Sequence, residues 1–176
     1  TMSGGAIRAC EALKGDGGAL HAMGLDAQVR LSGVTVHDCK ARHGAFLLET
    51  ADAVVRLADV HVEDCITNGD ASLNGDVDPG KLAVNAAGRV HAEHLQVVRS
   101  GGWTLDGFSG CTDCTFSDFT AIRLGGVSRF TRTAFLRSNT RIGDSPISLV
   151  SGARVATMID SHISDCRGDP NPVLEE

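Results

Sequence analysis

Val29-Arg30-Leu31-Ser32-Gly33-Val34-Thr35-Val36-His37-Asp38-Cys39 returns 26 residues later as Val55-Arg56-Leu57-Ala58-Asp59-Val60-His61-Val62-Glu63-Asp64-Cys65, with seven of the eleven positions identical. Self-similarity at a period of about 20–50 residues marks a repeat architecture, in which each unit buries its apolar face only by stacking on the next. Reduced to apolar-x-x-(Cys/Ser/Asn), the pattern runs through Ile7 to Cys10, Val36 to Cys39, Val62 to Cys65, Val97 to Ser100, Leu136 to Asn139 and Ile163 to Cys166. Phe116 to Phe119 fills the remaining gap, and the successive spacings of the terminal residue are 29, 26, 35, 19, 20 and 27.

No segment shows the long 3.6-residue periodicity of a helical repeat. Each unit holds short alternating runs split by Gly, Asp, Asn or Ser, the pattern of strands and turns. Three strands per unit are expected. The first carries inward pairs such as Leu20 and Ala22, Phe46 and Leu48, Leu82 and Val84, or Trp103 and Leu105. The second carries Val29 and Leu31, Val55 and Leu57, or Val90 and Ala92; the third starts at Val34, Val60 and Leu95 and runs to the Cys/Ser/Asn position. Coiled on itself, such a chain stacks its rungs roughly 4.8 Å apart, so equivalent side chains form ladders along the axis. The expected fold is all-β: a right-handed parallel β-helix of about six rungs, one domain over residues 1–176 and a section of a longer solenoid. The excess of the longest spacing falls in the polar, Gly-rich residues 67–80, expected to leave the coil as an inserted loop.

Composition agrees with thin, regular layers: 21 Gly, one Trp and no Tyr leave the core to Val, Leu, Ile, Ala and small residues. A net charge of −6 argues against nucleic acid as a partner, because phosphate binding draws its affinity from clustered Lys and Arg. No apolar run is long enough to span a membrane, and the N-terminus lacks the basic-then-apolar order of a secretory signal.

Cys10-Glu11-Ala12 running on to Gly17-Gly18-Ala19-Leu20, and Cys39-Lys40-Ala41 running on to Gly44-Ala45-Phe46, resemble the FxxN…GGA[ILV] repeat of the chlamydial polymorphic outer-membrane proteins. More broadly the chain is similar to the pectin-lyase-like right-handed β-helices. In the repeat the small residues open a strand and the Asn fills an inward ladder at a turn; here Cys usually stands in its place, with Asn139 the exception. The resemblance implies an extracellular or cell-surface setting.

The structural ladder is therefore Cys10, Cys39, Cys65, Ser100, Phe119, Asn139 and Cys166, with Cys111 and Cys114 in the core slots of Leu31 and Val34. Reduced, packed thiols are expected, since free Cys behaves as a small hydrophobe and a lone CxxC lacks the second ligand pair of a zinc site. Asp70, Asp76 and Asp78 in the inserted loop are a weak calcium alternative without the order of an EF-hand. For a polysaccharide-cleaving enzyme, Asp106 and Arg123 would be the general base and the charge stabiliser on the outer face of the first strand, but the same pair reads as a surface ion pair. No cofactor is expected. The expected role is a non-catalytic structural or interaction module of a larger surface, adhesin-like or assembly protein. Its partners would be protein neighbours at the solenoid ends or further rungs of the same chain, with carbohydrate second, and a carbohydrate-active enzyme or its inactive relative is the alternative.

Overall fold

The computed structural model describes residues 1–12, 19–22, 27–41, 46–48, 54–67, 84–86, 89–100, 103–105, 109–119, 122–124, 127–138, 147–149 and 155–166. Among them the regular structure is all strand, and the strands pair in parallel across successive coils. The first strands, Leu20–Ala22, Phe46–Leu48, Val84–Ala86, Trp103–Leu105, Ile122–Leu124 and Ile147–Leu149, stack in that order as one six-stranded sheet. The second and third strands form a 12-stranded sheet that is joined at one long strand, Gln28–His37, whose first half serves as a second strand and whose second half serves as a third. Met2–Arg8 pairs along that strand from Leu31 to His37. The molecule is a parallel β-solenoid.

Alternation decides what the coil buries. In Val54–Ala58, Val55 and Leu57 are buried while Arg56 is exposed, as a period-two pattern on a one-sided sheet requires. The third-strand column Val36, Val62, Val97, Phe116 and Phe135 is at most 1% exposed along its length. Burying each such side chain contributes roughly 1.5–3 kcal/mol. The neighbouring columns trade volume along the axis. Where Val29, Val55 and Val90 give way to Ser109 and Ser128, Leu31 and Leu57 give way through Ala92 and Cys111 to Phe130, keeping the coil full. Phe135 stacks on Phe116 with ring centroids 5.2 Å apart and meets Phe119 and Phe130 edge-on.

Among the described residues the coil turns at two corners, one between the second and third strands and one after the third. Each corner outside the first two coils' Gly4 and Gly33 is made by a single non-glycine residue at positive φ. Asp59, His94, Asp113, Arg132 and Asp160 form the first corner; Ala9, Asp38, Asp64, Arg99, Asp118, Arg137 and Asp165 form the second. One left-handed residue bends the chain sharply while leaving its amide parallel to the axis. The Asp113 N–H accordingly donates to the Thr131 carbonyl of the next coil at 3.0 Å, and the Asp118 N–H to the Leu136 carbonyl at 3.0 Å. The interstrand ladder thus continues around the bends. Asp holds most of these positions because it tolerates the left-handed region better than most side chains.

Three expectations need correction or addition. The column containing Phe46 and Trp103 passes through Val84, not Leu82, so that strand lies two residues further on. Phe116 pairs with Phe135 and Phe135 with Ile163, so the ladder position of that coil is the buried Ser138; Asn139 follows it and lies outside the described residues. Glu11–Ala12, Lys40–Ala41 and Ile66–Thr67 add a short fourth strand to the first coils, forming a three-stranded sheet.

Candidate functional site

The ladder residues stand at the second corner, each immediately after its left-handed residue. Cys39, Cys65, Ser100 and Phe119 are buried, and Cys10 and Cys166 are half-buried at the two ends of the stack. The Cys65 thiol lies 3.8 Å from the Val36 carbonyl of the coil before it, and the Cys65 N–H donates to Ser100 Oγ of the coil after it at 3.2 Å. Cys39 and Cys166 repeat the contact to the preceding coil, at the Ile7 and Phe135 carbonyls. Burial pushes the Cys39 thiol up and the Cys65 thiol up to about 12. Cys111 and Cys114 occupy the slots of Leu31 and Val34, and burial pushes Cys111 well up. All six thiols are free. At Cys39, Cys65 and Cys111 burial disfavours the thiolate, the form that attacks or ligates a metal, whereas the hydrogen bond from Cys111 lowers Cys114.

The corner residues carry most of the surface charge pairing. Arg132 holds Asp113 through two bonds of 2.6 and 2.7 Å, and Arg137 holds Asp118 through two of 2.9 Å. Arg99 bonds Asp64 at 2.9 and 3.1 Å and also pairs with Glu63. His94 stands between Asp59, at 3.1 Å, and Asp113, at 3.8 Å. Acid and base therefore alternate from Asp59 to Asp160 along the first corner and from Asp64 to Asp165 along the second. The partner guanidinium is the main reason that Asp64, Asp113 and Asp118 sit below the usual carboxylate range. This ladder went unread in the sequence, although a signal for it exists: Asp precedes Cys at Asp38, Asp64, Asp113 and Asp165.

The outward face of the second strands is different in kind. Its central row runs in register through Arg30, Arg56, His91, Gly110, Arg129 and Thr157. Arg89 stands beside it, two residues before His91 on the same strand. Among the described residues, none of Arg30, Arg56, Arg89 and Arg129, all exposed, has a carboxylate partner. Burial, then the nearby Arg56 and Arg89, lowers the His91 imidazole below its ordinary range. Over Gly110, where the row has no side chain, lies a depression of about 350 Å³ walled by His91, Arg129, Glu93, Thr112 and Thr131.

The other candidates fall partly outside the described residues. Arg123 is registered beside Thr104 and Ser148, and its expected partner Asp106 lies outside the described residues. Asp70, Asp76 and Asp78 lie outside them too. His37, Glu63 and Asp64 each place a ligand atom within 4.8 Å of the others, but Arg99 already holds both carboxylates and would oppose a cation there. Comparison with known proteins finds no matching family model, no matching curated protein and no matching solved structure.

Proposed function

We propose that this chain is a non-catalytic structural or interaction module, a β-helical section of a larger surface or assembly protein of the kind its repeats resemble in the chlamydial outer-membrane proteins. The observation that carries the reading is the last coil. Met158 and Ile163 continue the columns of Phe130 and Phe135, yet they are 42% and 51% exposed where the latter are 2% and 0%. An inward apolar residue needs a coil on both sides, and among the described residues these have one on one side only. The outer edges of Val155–Ile159 and His162–Ser164 face the same way, and an open strand edge invites strand addition. Further rungs or a docked subunit would cover both at once.

Sedimentation of the 176-residue chain tests the reading. Concentration-dependent association that Met158→Glu with Ile163→Glu abolishes, without loss of strand signal in circular dichroism, is the expected result. A monomer over the whole concentration range would overturn it.

A further inference from the structure

The stacked cations of the second-strand face have no structural explanation. At the corners, every described Arg at positive φ faces an Asp on the adjoining coil. On this face Arg30 and Arg56 instead lie directly beside one another in register, an arrangement that destabilises a sheet. The four cations of this face are all Arg in a chain with three Lys, and Arg offers the planar fork that fits a carboxylate. We propose that this face docks an extended acidic segment of a partner protein, with two of its carboxylates on Arg56 and Arg129.

The spacing fits such a segment. Arg56 and Arg129 are three rungs apart, about 14 Å at the usual strand separation. In an extended peptide, side chains on one face recur about every 6.8 Å, so residues i and i+4 are also about 14 Å apart. The residue between them, i+2, then comes down between the levels of His91 and Gly110, which both line the depression. Thr112, Thr131 and Glu93, one row over, supply hydroxyls and an acceptor for peptide amides. A sugar chain fits less well, because among its described residues the face has no Phe, Tyr or Trp ring for it to stack on. A nucleic acid would meet Glu93 and the corner carboxylates Asp59 and Asp113 beside the row. This lateral face is separate from the open end, so either reading can fail without the other.

The test is fluorescence anisotropy at low salt with the intact chain and a labelled peptide alternating Thr and Glu, beside its Gln counterpart, dextran sulfate and oligothymidylate. The expected result is saturable binding of the Glu peptide, weakened about ten-fold or more by Arg56→Gln with Arg129→Gln and unchanged by Arg137→Gln at a corner. Arg56→Lys with Arg129→Lys keeps the charge and the fold, and is expected to weaken binding as well by removing the fork. Equal binding to both double variants overturns the site, and binding of dextran sulfate or oligothymidylate without the Glu peptide overturns the partner. Absence of binding by every anion overturns both.

Discussion

Cys65 shows what stacking does to a single side chain. Its thiol faces the preceding coil, its amide is bound by the following one, and burial pushes it up to about 12. Thiol reagents consume thiolate, so Cys65 should react only as fast as its coil opens. Cys10 and Cys166, half-buried in the outermost coils, should be modified first, and Cys39, Cys65, Cys111 and Cys114 much later. Mass-spectrometric timing of alkylation without denaturant gives the order directly. Modification of Cys65 as fast as Cys10 would show that the ladder is not closed.

The corners belong to the scale of elements, because one residue there joins two strands and pairs with the next coil. The left-handed conformation is unfavourable for Arg132, and the backbone bond from its amide to the Ile159 carbonyl together with its fork on Asp113 offsets this. Since Asp113 binds its proton less readily folded than unfolded, its contribution is present above the unfolded carboxylate pKa. It is lost as pH falls through the lower, folded value. Arg132→Gln should therefore lower the melting temperature near neutral pH, and the gap to the parent should close in acid. High salt should narrow it too, because Arg132 is exposed and Asp113 only half-buried. A gap that stayed constant from neutral to strongly acid pH would assign the loss to packing.

Over the whole molecule, each coil touches only its neighbours, so stability is closer to a sum along one axis than to a single core. The core is also uneven along that axis, aliphatic in the middle coils and aromatic from Phe116 to Phe135. Phe135→Ala should cost about 3–5 kcal/mol, as truncation of a fully buried ring does. The cost should appear locally. Hydrogen exchange should quicken in Ala134–Leu136, Val155–Ile159 and His162–Ser164 while Val54–Ala58 keeps its protection. Uniform loss of protection would mean that the stack unfolds as one unit.

The alternation Val55, Leu57, Val60, Val62 and its recurrence were enough to read a parallel coil with these residues inside, because period two and repeat are properties of the chain itself. The buried slots of Cys39, Cys65, Cys111 and Cys114 were legible for the same reason. Register was not. The central row of the basic face passes through positions separated by 26, 35, 19 and 19 residues. With turns of such unequal length, sequence distance does not say which residues meet, and the columns expected to include Leu82 and Asn139 run through Val84 and Ser138. Only the hydrogen bonds between coils, and the left-handed corner residues that carry them around the bends, decide which side chains share a level. They bring Arg30, Arg56, His91 and Arg129 into one line.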